Sequence, residues 1–232
     1  MEQHLENLKQ ITIKDVRANP KIKKLLEGAN ELLDAMGYTE HGLRHAGVVS
    51  SITRYLLIEL EAPPRIVDLG QIAGYLHDIG NVINRVDHPF HGATLSYCLL
   101  NEMGMDVHEI APILGAIGNH EELAGQPIST MSAALIIADK SDVHFSRVQN
   151  PELDTYDIHD RVNSAVQKSR VELKKKGTEG GGTIEITLEI DTNQATVMEY
   201  FEIFLHRMIM CRKSAALLGY RFALNVNGVY LE

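Results

Sequence analysis

"GYLHDIGNVINRVDHPFHG", residues 74–92, decides how this chain of 232 residues is read. It holds three histidines, two aspartates and three glycines within nineteen positions. The apolar run before it, "IVDLGQIA", leads into the polar pair His77-Asp78. That is the pattern of a helix buried on one side and polar at its end. Neighbouring residues on a helix point about 100° apart, so the pair can share one cation only if the helix presents the ridge between them.

Outward from this stretch, helical spacing continues in both directions. "HAGVVSSITRYLLIELE" (45–61) reads as a helix ended by Pro63 and Pro64. In "NPKIKKLLEGANELLDAMGYTEHG" (19–42), Ile22, Leu25, Leu26, Leu32, Leu33 and Met36 recur at helical intervals and Gly37 is the stop. Further helices are expected over 93–102, 106–118 and 130–143. The character changes after about residue 148. A helical stretch begins near Asp160, and "SRVELKKKGTEGGGTIEITLEIDT" follows, with Ile184, Ile186, Leu188 and Ile190 alternating against polar residues. "KKKGTEGGG" reads as a hairpin tip, because it lacks the GK[ST] ending of a phosphate loop. A long amphipathic helix and "RFALNVNGVYLE" close the chain, the latter as one strand or a hairpin around Asn227-Gly228. The expected fold class is mainly α. Residues 1–148 form an all-helical bundle domain, and residues 149–232 a small α+β module, a three- or four-stranded antiparallel sheet covered by one helix.

Hydrophobic residues make up 44% and charged ones 23%, enough to bury a sizeable core. The net charge is −9, from 22 basic and 31 acidic residues. Broad binding to nucleic acid or an anionic membrane needs clustered Lys and Arg, and this balance argues against it. An anionic ligand would need a local positive charge, which a bound metal supplies. Cys98 and Cys211 show no CxxC spacing and read as reduced thiols. "MEQHLENLKQ" has no apolar leader core, and no run of about eighteen apolar residues occurs. A soluble, cytoplasmic protein is expected.

The histidines are informative through their placement. His41, His45, His77, His88 and His91 fall between residues 41 and 91, and His120 lies in "AIGNHEE". "MSAALIIAD" delivers Asp139 at the end of an apolar segment, where an unpaired carboxylate is costly and metal coordination offsets the cost. His45 opens the apolar face of its helix in the same way. His45, His77, Asp78 and Asp139 together offer two imidazoles and two carboxylates, a set that suits Fe, Mn, Co, Ni or Zn and can take Mg. If Asp78 bridges two ions, His88 and His120 complete a second site about 3.5–4 Å from the first. His41 and His91 are spares, read either as substrate contacts or as plain surface residues.

The order H…HD…D, at His45, His77-Asp78 and Asp139, resembles the HD-domain superfamily of metal-dependent phosphohydrolases over roughly residues 35–148. "HDIG" is the form of one large bacterial branch. "HPFHGATL", "AIGNHEE" and "MSAALIIADKSD" look closest to bacterial symmetrical dinucleoside tetraphosphate hydrolases. There the positions matching His88, His120 and Asp139 complete a di-iron site. The chain departs from the cyclic-di-GMP phosphodiesterases at Asn81, where they carry Lys, and at Asn119, where they carry a second His. It departs from the tetraphosphatases at "HEELAG", where they have "HTTG".

The resemblance implies an all-α core and one or two divalent metal ions as cofactor. It implies hydrolysis of a phosphate ester or anhydride in a nucleotide or another small phosphorylated metabolite. Asp78 would be both a ligand and the group orienting the attacking water. Arg44, His91 and Lys140 are the expected substrate contacts, neutralising charge on the transferred group. Two other classes stay open. Some HD-fold proteins use the same ligands to hold two irons that activate O₂, as oxygenases. The core can also serve as a non-catalytic nucleotide-sensing module, with helix 194–219 either pairing with a second copy as a homodimer or packing on its own sheet.

Overall fold

The structure, a computed structural model, describes residues 10–150, 152, 156–175 and 181–232. Its first part is helical throughout: α1 (Ile13–Ala18), α2 (Pro20–Ala35), α3 (Leu43–Glu59), α4 (Pro64–Leu76), α5 (His88–Glu102), α6 (Val107–Gly118) and α7 (Thr130–Ser141). Short 3₁₀ turns span Ile79–Val82 and Phe145–Arg147. Local chemistry sets the helix starts. Pro20 and Pro64 take the first helical position, where no backbone donor is needed. The side chains of Asn19 and Asp106 cap α2 and α6, and Ser129 with Ser132 forms a reciprocal cap on α7.

Every residue of α7 from Met131 to Ser141 is buried. A helix covered on all sides lies at the centre of a fold, and α7 packs against α3, α4 and α6 on one side and against a C-terminal helix on the other. The polar end of "IIADKSD" is thereby carried into the middle of the molecule.

The C-terminal part consists of α8 (Ile158–Ala165), β1 (Val166–Lys174), β2 (Thr183–Ile190), α9 (Val197–Leu217), β3 (Arg221–Val226) and β4 (Val229–Leu231), with the sheet in the order β1-β2-β3-β4. β1 and β2 pair antiparallel; the Gly-rich tip at 176–180 lies outside the described residues. β3 and β4 form a hairpin turned at Asn227 (φ 51°) and Gly228 (φ 86°), the left-handed pair that suits a two-residue turn. The all-antiparallel expectation fails at one pairing, because β2 and β3 run parallel. α9 carries the chain back across the sheet between them, so β3 re-enters in the direction of β2. Alternation of apolar residues fixes a strand's faces but not its direction.

Ile184, Ile186 and Leu188 pack with Phe204, Met208 and Cys211 of α9, and the same core takes in Leu56 and Leu57 of α3 with Ala134 and Ile137 of α7. Residues from both sides of position 148 therefore share one core. On α9, Phe204 and Met208 are buried while Met198 and Leu205 are exposed. A second core, including Leu26, Val49, Ile72, Leu76 and Ile113, binds α2, α3, α4 and α6. No helix among the described residues is long and apolar enough to cross a membrane.

One close approach sets the spacing around the opening motif. A β-carbon at Gly80 would collide with the carbonyl of His88 and the amide of Gly92 at the start of α5. By contrast, a β-carbon at Gly47, inside α3, meets nothing within 4 Å. Gly80→Ala is therefore expected to cost about 1–3 kcal/mol by overpacking, and Gly47→Ala to stabilise by about 0.5–1 kcal/mol through helix propensity. Thermal midpoints of the two variants should move in opposite directions; a Gly80→Ala midpoint at or above the parent's would refute the tight contact.

Candidate metal centre

Five helices bring their ends to one buried point. His45 lies in the first turn of α3, His77 caps the end of α4, His88 begins α5, His120 follows α6, and Asp139 sits in the last turn of α7. All are buried, and each of these four imidazoles is at most 2% exposed. The His77-Asp78 pair does not act as a helix ridge. α4 stops at Leu76, His77 stays right-handed, and Asp78 turns to φ −98°, ψ 2°, a sparsely populated region common at active sites. The break places Asp78 Oδ2 3.4 Å from His77 Nε2. The Asn81 side-chain amide donates to the Asp78 carbonyl at 3.0 Å and fastens the turn.

The outer partners of the imidazoles fix their tautomers. Nδ1 of His77 faces the Gly74 carbonyl at 2.9 Å, that of His88 the Arg85 carbonyl at 2.9 Å, and that of His120 the Ile117 carbonyl at 2.6 Å. His45 Nδ1 lies 2.7 Å from Asp142 Oδ2. Carbonyl and carboxylate oxygens only accept, so each Nδ1 carries the hydrogen and each neutral ring is left with a lone pair on Nε2. The Nε2 atoms face one another, His45 to His77 at 3.2 Å and His88 to His120 at 3.1 Å.

Two ligand groups result, and they meet at Asp78. Its Oδ2 lies 3.5 Å from His45 Nε2 and 3.4 Å from His77 Nε2, and Asp139 Oδ1 lies 3.4 and 3.6 Å from the same nitrogens. Asp78 Oδ1 lies 3.3 Å from His88 Nε2 and 3.7 Å from His120 Nε2. Two atoms each ~2.1 Å from a common ion are about 3.0 Å apart at a right angle and about 3.4 Å apart at a tetrahedral one. The distances run from 3.1 to 3.7 Å, from just above the right-angle value to a little past the tetrahedral one, so the residues fit a divalent cation. The triads His45/His77/Asp78, Asp78/His88/His120 and His77/His120/Asp139 each bring their donor atoms close enough for one ion.

Surrounding charges hold the donors in place. Asp142, one turn after Asp139, accepts from His45 and from Arg44, whose Nη2 and Nη1 reach it at 2.7 and 3.3 Å. Lys140 Nζ lies 2.8 Å from Asp139 Oδ2 and 3.0 Å from Glu122, so Asp139 turns only Oδ1 to the imidazoles. Burial opposes charge on Asp139, but Lys140, His45 and His77 outweigh it and keep the carboxyl well below the usual range. Burial opposes charge on His77 too, yet Asp78 and Asp139 beside it push its pKa up to about 10.

The cage opens toward a cavity of about 400 Å³. His41, Arg85, Arg147 and Arg207 line both the cage's own small cavity and this larger one. The expected substrate contacts lie elsewhere or are otherwise engaged. Arg44 is taken by Asp142 and, through Nε at 2.9 Å, by Glu40. His91 lines neither cavity. Lys140 lines the cage but is enclosed by Asp139, Glu121 and Glu122. The three arginines and Asp142 were not singled out in the sequence. Asp142 left one trace, a second acid three residues after Asp139 and so on the same helix face; Arg207 left another, a charge inside the apolar run "IFLHRMIM".

No protein-family model matches the chain. An uncharacterized protein of Methanocaldococcus jannaschii is 26% identical over 223 residues, spanning 86% of this chain and 83% of that one. Among solved structures, that of a predicted HD superfamily hydrolase from an uncultured Thermotogales bacterium aligns over 56% of this chain and 73% of that one. The identity there is 23% and the TM-score 0.42, too low to establish a shared fold.

Two outcomes follow for ion binding. A ligand imidazole must be neutral, so an ion expels the proton that His77 otherwise keeps up to about pH 10. Affinity for Mn²⁺ should therefore rise about tenfold per pH unit between roughly pH 6 and 8 from this group alone, with proton release visible by calorimetry in buffers of different ionisation enthalpy. Asp142→Asn should weaken binding about 10–100-fold by loosening His45; unchanged affinity would remove Asp142 from the support of the site.

Proposed function

We propose that this chain is a metal-dependent phosphohydrolase of the HD type. It would cleave a phosphate ester or anhydride of a small phosphorylated metabolite or nucleotide, with two divalent transition-metal ions. His45, His77, Asp78 and Asp139 would hold one ion, and Asp78, His88 and His120 the other. Bound ions supply charge neutralisation at the phosphoryl oxygens and lower the pKa of an attacking water.

The observation that carries the reading is the placement of three guanidinium groups at the mouth of a His/Asp cage. Arg85 is tethered to Glu121 at 3.5 Å and Arg207 to Glu122 at 3.1 Å. Arg147 donates to the backbone carbonyls of Glu40 and Asp142, at 2.8 Å each. Guanidinium forks match phosphate oxygens, and bonds between the two are charge-assisted. O₂ needs no such partner, so this rim favours a phosphohydrolase over an oxygenase. The rim also supplies local positive charge in a chain of net charge −9. Asp78, shared by both ligand groups, would orient the water. His41 lines the mouth and is kept neutral by burial and by Arg147 nearby, its pKa held well below the ordinary value. Its Nδ1 hydrogen is taken by the Thr39 carbonyl, which leaves Nε2 as an acceptor.

The test is phosphate release from a panel of nucleotides and sugar phosphates with Mn, Fe, Co, Ni and Mg under anaerobic conditions, alongside elemental analysis of the purified protein. Asp78→Ala should lose bound metal and at least about 10³-fold in turnover together. Full turnover in that variant, or oxygen uptake by the iron-loaded protein without phosphate release, would overturn the proposal.

A further inference from the structure

The turn that leads from the 3₁₀ helix at Ile79–Val82 into α5 grips the ring of His88 from two sides. The Arg85 carbonyl faces Nδ1 at 2.9 Å, and the Arg85 guanidinium lies with Nη1 3.3 Å from Nε2. A guanidinium only donates, and Nδ1 already carries the ring's hydrogen, so Nη1 donates into the Nε2 lone pair. That lone pair is the one His88 would offer to the second ion. It serves one partner at a time, and a guanidinium and a divalent cation repel each other at such a separation.

The hold of Arg85 is loose. Its Nη2 reaches Glu121 Oε1 at 3.5 Å, and the guanidinium carbon stands 5.8 Å from the centre of the Tyr38 ring. Both N–H contacts are longer than the roughly 2.7–3.2 Å of a well-made bond. Arg147, by contrast, is fastened to the carbonyls of Glu40 and Asp142 at 2.8–3.0 Å. Arg85 borders both the cage and the larger cavity, so it adjoins the space where an anion at the mouth would sit. The first ligand group is treated differently. There Lys140 pairs with Asp139 through Oδ2 and leaves Oδ1 to the imidazoles.

We infer that Arg85 competes with the second ion for His88 Nε2 and yields it when the guanidinium passes to a phosphate at the mouth, so that the second ion and the anion bind together. This rests on the two-ion phosphohydrolase reading. A hydrogen bond from a charged donor is worth about tenfold or more in an equilibrium, and linkage makes the coupling reciprocal.

The experiment counts Mn²⁺ bound to the full chain by electron paramagnetic resonance, at one pH, with and without inorganic phosphate. His120→Ala strips the second group and so identifies which ion is which. Without phosphate, Arg85→Met should bind the second Mn²⁺ about tenfold or more tighter than the parent, a gain that loss of a merely structural residue does not give. Arg207→Met removes a charge of the same sign from the same rim, but Arg207 pairs with Glu122 and with no ligand nitrogen among the described residues. That variant should keep the parent's affinity. Phosphate should tighten the second ion about tenfold more in the parent than in Arg85→Met. A second ion bound no tighter in Arg85→Met overturns the inference. So does an equal gain in Arg207→Met, a gain when Arg85→Met is added to His120→Ala, or a phosphate effect of the same size in parent and variant. A chain that takes no second Mn²⁺ with or without phosphate defeats the two-ion reading itself, a result distinguishable from the others.

Discussion

Four imidazole Nε2 atoms turned toward each other are an unstable arrangement unless positive charge lies among them. Here the arrangement is enforced from outside. Three backbone carbonyls and the Asp142 carboxylate claim every Nδ1 hydrogen, so no ring can rotate or change tautomer without abandoning a hydrogen bond. Leaving such a partner unpaired costs about 1–3 kcal/mol. The carbonyls of Gly74 and Ile117 near helix ends, and of Arg85 in the turn before α5, thus set where the rings point. The carboxylates of Asp78 and Asp139 lie between the rings, and together they give the cage its affinity for positive charge.

This constraint explains the placement of the larger elements. α7 must be buried on all sides because its last turn bears Asp139 and Lys140 and ends in the cap Asp142, and each has its own set of partners: the imidazoles, the Glu121/Glu122 pair, and Arg44 with His45. The turn at Gly80 must be tight because α5 has to begin beside it for His88 to reach Asp78. α9 closes the remaining side and brings Arg207 to the mouth.

Much of this was legible in the sequence because each ligand interrupts an apolar stretch. A charged or ionisable residue at the end of "LIIA" or "IAGYL" has to be compensated, and several such residues in a helical chain suggest that they compensate one another. The helices were legible from their periodicity and their caps. What was not legible depends on which elements become neighbours. Arg85, Arg147 and Arg207 come from three separate segments and look like ordinary surface charge until the chain is folded. Arg44 looked available because its partner Asp142 is 98 residues away. The parallel pairing of β2 and β3 depends on where α9 crosses, a matter of tertiary path on which alternation in the strands is silent.

The contrast between the basic mouth and the acidic remainder has a consequence for discrimination by size. Charges separated by more than about 8 Å in physiological salt scarcely feel one another, so a compact anion at the mouth responds to the guanidinium groups and little else. A long polyanion laid over the same opening must also rest several of its charges on the acidic exterior, and each is repelled there. On the proposed phosphohydrolase reading, such a field would favour compact phosphate compounds over polymers with no gate and no moving part.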